Sequence, residues 1–213
     1  MGDPARLEGM ARYGIDTTNA LGVTVTELRR VARVLGRDHE LAAELWASGV
    51  HEARILASLV DDPALVTERQ MDAWVAELDS WDVCDGLCGN LFDRTPFALD
   101  KAVGWVDREA EFERRAGFAL IAWAAVHRKD LPDRAFAALL PKIRERSTDD
   151  RTYVKKAVSW ALRSIGKRSG GLNVKAIRTA EQIERLDARA ARWIARDVLR
   201  ELRSDAVQAR LGR

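Results

Sequence analysis

The 213-residue chain holds only two cysteines and three histidines, and it has no long uninterrupted apolar run. Each scarcity removes a class of protein. Cys84 and Cys88 lie four residues apart, too close on a helix to staple distant segments, and neither a CxxC pair nor a histidine cluster accompanies them. That excludes a disulfide framework and a zinc site, and leaves half-buried, reduced thiols that pack. His39, His51 and His127 are scattered without a motif, which makes them surface or capping residues rather than ligands. No stretch is long and apolar enough to span a bilayer, and no apolar core follows the N-terminal Met as in a secretory leader, so a cytoplasmic protein away from membranes is expected. A phosphate-cradling glycine loop is missing as well, and neither metal nor nucleotide cofactor is expected. Alternating β-branched runs between turns do not occur, which removes the β-rich folds.

What remains is helical. Hydrophobic residues make up 47% of the chain, enough to bury a core at this length. Breaks with turn chemistry fall at "GIDTTNALGV" (14–23), "DDP" (61–63), "RTP" (94–96), "KDLP" (129–132), "STDD" (147–150) and "SGG" (169–171). Thr67 and Gln70 have the spacing of a capping box before "ERQMDAWVAEL", and Asp150 stands where a helix through "RTYVKKAVSWALRSIGKR" would start. Pro141, inside "FAALLPKIRER", predicts a kink or a split.

Four segments resemble one another: "HEARILASLVDD" from 51, "WDVCDGLCGNLFD" from 81, "FERRAGFALIAWAAVHRKD" from 112 and "YVKKAVSWALRSIGKR" from 153. Each opens on a ring-bearing residue, continues with polar residues and then turns apolar. Their starts are spaced by 30, 31 and 41 residues, with further helices between them. That is the period of a two-helix repeat, and it predicts an all-α solenoid whose second helices line a shared concave surface. The expected partition is one array over 1–213, with N-terminal helices in 1–50, central repeats in 51–170 and capping helices in 171–213.

Charge is uneven. Residues 1–100 carry 9 Arg and Lys against 18 Asp and Glu, whereas residues 101–213 carry 26 against 15. A basic half attracts polyanions, nucleic acid first among them, although a solvated Lys/Arg face has the same composition. On the expected inner surface stand Trp81, Asp82 and Asp85 from one helix, Arg114 and Arg115 from the next, and Lys155, Lys156, Trp160 and Arg163 from a third. Taken singly, each tryptophan reads as core and each charge as solvated. Together they would gather aromatic faces, a carboxylate and phosphate-binding cations. Trp46, Trp74, Trp105, Trp123 and Trp193 read as core or inter-helix packing.

Several stretches resemble the AlkD-type bacterial alkylpurine DNA glycosylases: "MARY" (10–13), "ALGV" (20–23) with "ELRRVAR" (27–33), "WDVCD" (81–85), "RRAGFAL" (114–120) and "VKKAVSWALR" (154–163). The resemblance implies HEAT-like repeats around a partly basic groove. It also implies a monofunctional hydrolase that acts on cationic N3- or N7-alkylated purines in double-stranded DNA without flipping the base. In that scheme Asp85 is the catalytic carboxylate, and Trp81 and Trp160 are aromatic walls beside the deoxyribose. Arg115 holds a backbone phosphate and Tyr13 contacts DNA, with Arg114, Lys155, Lys156 and Arg163 supplying further cations. A monomer without cofactor is implied. Thr24 stands where the family has a glutamine, the N-terminus is shorter, and extra residues separate Arg115 from Trp160. The competing expectation is a non-catalytic HEAT-like scaffold for nucleic acid or protein, and Asp85 is the residue that separates the two.

Overall fold

A computed structural model describes residues 3–212, and every regular element among them is helical. The chain forms two compact units, one ending at Phe97 and the other starting at Ala98.

The first unit contains α1 (Pro4–Arg12), α2 (Val25–Leu35), α3 (His39–Ala47), α4 (His51–Val60), α5 (Glu68–Ala76) and α6 (Trp81–Asn90). Helices α2, α4 and α6 pack side by side, and α3 packs on α4, as a two-helix repeat requires. Short polar side chains start the helices. Thr24 and Glu27 form a complete capping box on α2, and Asp38 accepts from the Leu41 N–H at 2.9 Å to cap α3. The expected box at Thr67 is half-made. Its hydroxyl accepts from the Gln70 N–H at 3.1 Å, but the Gln70 amide donates to Asp61 at 2.7 Å, and Asp61 also binds the His39 ring at 2.6 Å.

A buried carboxylate fixes the segment ahead of α2. Glu52 accepts from the backbone N–H groups of Leu21, Gly22 and Val23 at 2.8, 2.7 and 3.2 Å. Three converging amides satisfy an anion that would otherwise be costly to bury. Gly22 is required there: its φ is +74°, and a Cβ would lie 2.4 Å from the Asp3 carbonyl oxygen. The core beneath is aromatic, with Trp46 stacked on Trp74 at 4.3 Å and Trp74 tilted against Phe92 at 6.4 Å.

The second unit contains α7 (Ala98–Trp105), α8 (Glu111–His127), α9 (Asp133–Ala137), α10 (Leu140–Glu145), α11 (Thr152–Gly166), α12 (Gly170–Glu184), α13 (Arg189–Leu202) and α14 (Asp205–Arg210). Helices α8, α11 and α13 form its row of second helices. Phe118, Leu120 and Ile121 of α8 are fully buried, each contributing about 1.5–3 kcal/mol of apolar transfer. Gly117 lets α7 approach, since a Cβ would meet the Val106 nitrogen at 2.7 Å. On the other side of α11 a charged ladder faces α13: Ser159 donates to Asp197 at 2.7 Å, and Arg163 and Lys167 both bind Glu201.

The helices that begin at His51, Trp81, Glu111 and Thr152 are the four segments singled out by self-similarity, so the repeat reading holds at the level of elements. Other details differ. Pro141 splits its segment, because it occupies the second position of α10, where its missing N–H is not needed. Asp150 does not open α11. Asp149 does the local work, accepting from the Arg151 N–H at 3.1 Å, and the helix starts at Thr152. Trp193, expected in the core or packed between helices, is 40% exposed and meets α11 through the Lys155 ammonium, 5.6 Å from its ring. His51, expected at the surface, is buried, and Cys84 and Cys88 are fully buried free thiols.

Candidate active site

Helix α6 sorts its residues by face. Val83, Cys84, Leu87 and Cys88 are buried at the 3- and 4-residue spacing of an inward stripe. Trp81 and Asp85, one turn apart on the other side, are both partly exposed. Size does not explain this division, because Trp46, Trp74 and Trp105 are all buried. Burial holds the Cys88 thiol well above its ordinary pKa, and the neighbouring Cys84 and the charges of Asp85 and Asp93 push it the same way. The cysteines therefore back the helix as inert packing.

Two contacts hold the first turn of α6. The Trp81 indole N–H donates to the Tyr13 carbonyl at 3.1 Å, which orients the ring and brings Tyr13, 74% exposed, beside it. Asp82 accepts from the Ser80 hydroxyl and from the Val83 N–H at 3.0 Å, and lies 2.9 Å from the His51 Nε2. Burial of His51 opposes its imidazolium. The hydrogen bond and charge of Asp82, with Glu52 and Asp79 adding, outweigh that and raise its pKa. Asp82 is the mirror case: burial raises its pKa, but His51 and Ser80 hydrogen bonds bring the net shift below the ordinary carboxylate value. The pair ties the start of α6 to the start of α4, and His51 in turn donates its backbone N–H to the Asn19 carbonyl at 2.9 Å.

In the second unit the other expected site residues lie on α8 and α11. Arg114 and Arg115 are both buried but are held differently. Arg114 forms an ion pair with Asp149 at 2.7 Å, and Arg115 donates to the Tyr153 carbonyl at 2.7 Å, which couples it to the first turn of α11. Asp149 also takes two bonds from the Arg151 guanidinium, at 3.0 and 2.6 Å. Burial works against the Asp149 carboxylate, yet the two guanidinium groups hold its pKa down to about 2. Trp160 is partly exposed and stands edge-on to Trp123 at 5.4 Å, and Trp123 stacks on His127 at 4.9 Å. Lys156 is exposed, Lys155 lies 3.6 Å from Asp150, and Arg163 is shared between Asp197 and Glu201.

The structure thus brings Trp81, Asp85 and Tyr13 onto one patch of the first unit. It links Arg115 to the helix that bears Trp160 in the second. Two residues of the first patch were not anticipated. His51 and Glu52 open the self-similar segment "HEARILASLVDD", and the contact of His51 with Asp82 and of Glu52 with the "ALGV" turn arises only from tertiary packing. Among the described residues, no group of His, Cys, Asp and Glu could hold a metal ion, and no helix is long and apolar enough to cross a membrane.

A sequence profile for the family described as DNA alkylation repair enzyme matches residues 1–204. Two curated relatives are uncharacterized proteins from Listeria. The one from Listeria innocua serovar 6a is 24% identical and the one from Listeria monocytogenes serovar 1/2a is 20% identical, each over 79% of this chain and 74% of the relative. A solved structure described as "a new family of proteins related to the HEAT-like repeat DNA glycosylases with affinity for branched DNA structures" superposes with a TM-score of 0.79 at 20% identity. The match covers 99% of this chain and 91% of the other, and it shows that the all-α architecture is of the HEAT-like repeat kind.

Proposed function

The chain belongs to the family of DNA alkylation repair enzymes, and from that premise we propose that it is a monofunctional glycosylase. It hydrolyses the N-glycosidic bond of cationic N3- and N7-alkylated purines in duplex DNA. The observation that carries this reading is the two-faced α6, which presents Trp81 and Asp85 together while burying everything behind them.

The chemistry asks for little more. Alkylation makes the purine a cation that departs as a neutral base when the C1′–N bond breaks, so acid catalysis is unnecessary. Positive charge then develops on the deoxyribose, and water adds to C1′ and loses a proton. Asp85 stabilises that charge electrostatically and orients the water, while the Trp81 π-face offers a second source of negative potential. The Tyr13 carbonyl holds the indole in place, and the Asp82–His51 pair holds the turn that carries it. In the second unit, Trp160 offers an aromatic face and Arg115 a contact to backbone phosphate. Lys155 and Lys156 extend the positive surface along α11, whereas Arg163, expected among these cations, is taken up by Asp197 and Glu201, and Arg114 fixes the first turn of α8 through Asp149. Binding through the backbone leaves the lesion stacked in the duplex, unlike enzymes that extrude the base.

A second reading has its own support: a protein of the same fold has affinity for branched DNA. In that case the surface binds DNA and Asp85 has no chemistry to perform. The test is release of 7-methylguanine and 3-methyladenine from methylated duplex DNA by wild type and Asp85→Asn, with binding to an unmodified four-way junction measured alongside. Release by wild type, lost in Asp85→Asn with binding retained, is the expected result. Junction binding without release by either protein would replace the glycosylase with the binding module.

A further inference from the structure

The first unit has nine arginines and no lysine in residues 1–97, against 17 acidic residues. Some of these arginines find a carboxylate. Arg6 pairs with Asp3 and Glu27, Arg12 with Glu8, and Arg54 with Glu77. Four others converge. Arg29, Arg33, Arg37 and Arg94 line one open groove of about 600 Å³, together with Ala32, Gly36, Leu59 and Asn90, and no acidic residue lines it.

The geometry of the groove follows from its elements. Arg29, Arg33 and Arg37 recur every four residues along α2 and just past its end, a step of about 6 Å. Ala32 and Gly36 lie between them and add almost no bulk, so the floor is left to backbone, Leu59 of α4 and Asn90 at the end of α6. Arg94 enters from the turn after α6. All four arginines are exposed. Among the described residues, the guanidinium groups of Arg29 and Arg94 make no hydrogen bond or ion pair. Arg33 spends only its Nε, on the Arg29 carbonyl at 3.1 Å. Arg37 donates to the Asp61 carbonyl at 2.9 Å and lies 3.7 Å from Asp62. Arg37 thus has Asp62 beside it, whereas Arg29, Arg33 and Arg94 have no carboxylate partner among the described residues, and the like charges along the groove repel one another.

We infer that this groove is a phosphodiester-binding site. It is offset from the Trp81–Asp85 patch along α6: Asn90, its residue on that helix, lies nine residues or about 13 Å from Trp81 and five residues or about 7.5 Å from Asp85. The ligand class follows from the donors: forked guanidinium groups at one-turn intervals suit bidentate contact with successive phosphate oxygens, and the groove is too open and too poor in aromatic faces to select a base. The inference rests on the DNA reading above only for the identity of the polyanion and requires no base release.

The test is binding of unmodified duplex DNA by the full chain as a function of salt, for wild type, Arg29→Ala/Arg94→Ala and a matched control, Arg30→Ala/Arg69→Ala. The control removes the same charge from exposed positions outside the groove. Losing two phosphate contacts lowers the slope of log affinity against log salt by about 1.8, so the groove variant loses roughly 12-fold less affinity than wild type between 50 and 200 mM salt. Guanidinium stays charged throughout, so the same slopes are expected at pH 6 and pH 9. Equal slopes for wild type and the groove variant, or equal losses in groove variant and control, would overturn the inference. Absence of salt-dependent binding by wild type would overturn it too. Methylpurine release by wild type is scored separately, so failure of the glycosylase reading and failure of the groove are distinguishable.

Discussion

Asp149→Asn exchanges one oxygen for an amide and removes one buried negative charge. The native carboxylate is nearly buried, with 9% of its side chain exposed, and it neutralises Arg114, which is buried to the same degree. It also takes two bonds from Arg151, which is a third exposed and therefore partly screened by solvent. The substituted amide can serve one guanidinium with its oxygen but must turn its NH2 toward the other. Leaving a buried charge uncompensated costs about 3–5 kcal/mol, and the remaining oxygen offsets part of that. The expected loss is about 3 kcal/mol at pH 7, or roughly 6–12 °C in Tm for a chain of this size. The pH dependence carries a second signature. The Asp149 pKa is held down to about 2, so its contribution is present above the unfolded value of 3.8 and lost as pH falls toward 2. That difference corresponds to about 2 kcal/mol. Urea unfolding of wild type and variant at pH 7, 4 and 2.5 measures it. The gap between the two proteins should be widest at pH 7 and narrow by about 2 kcal/mol in acid. A gap below 1 kcal/mol at pH 7, or one that stays constant into acid, would refute the assigned role of the ion pair.

Other outcomes follow from the same structure. By NMR, the His51 imidazole should titrate above 6.5 in wild type. In Asp82→Asn it should titrate lower than in wild type, because burial then opposes the charged ring with only Glu52 and Asp79 to offset it. The stability contributed by this pair is full between about 3.8 and 6.5; it fades as pH rises through the raised His51 value and as pH falls through the lowered Asp82 value. Gly117→Ala should cost about 1–3 kcal/mol in thermal unfolding despite alanine's better helix propensity, because the new methyl meets the Val106 backbone nitrogen at 2.7 Å. Cys84 and Cys88 should resist an aromatic disulfide reagent at pH 8 in the native protein and react in urea, since both are fully buried and burial raises the Cys88 pKa. Rapid native labelling would contradict the packing assigned to α6.

Periodicity made the helices legible because a helix buries one stripe whatever it packs against. That is why the starts near 51, 81, 112 and 153 agree with α4, α6, α8 and α11 to within a residue. Chemistry between helices was much less legible. Glu52 looks like one more surface acid until the turn at 21–23 folds over it, and His51 looks like a capping residue until Asp82 arrives from another helix. Thr67 and Gln70 show the limit of a local motif: the spacing is right, but Asp61 competes for the Gln70 amide. For Trp193 the choice between core and inter-helix packing was open in the sequence, since its exposure depends on how α13 lies against Lys155 of α11. For the candidate site, the spacing of Trp81 and Asp85 put them on one side of a helix, but their exposure depended on Cys84 and Cys88 taking the buried side. The doubled arginine at 114 and 115 could not be resolved from sequence, because adjacent residues on a helix point some 100° apart and meet different partners.

The central claim is that Asp85 acts in the chemical step. Its most direct test is single-turnover release of 3-methyladenine from methylated duplex at saturating protein, comparing wild type with Asp85→Asn. The account predicts that the wild-type rate falls by on the order of 100- to 1,000-fold in the variant, the usual consequence of removing one electrostatic stabiliser, while affinity for the duplex stays within a few-fold. Equal rates in the two proteins would contradict it.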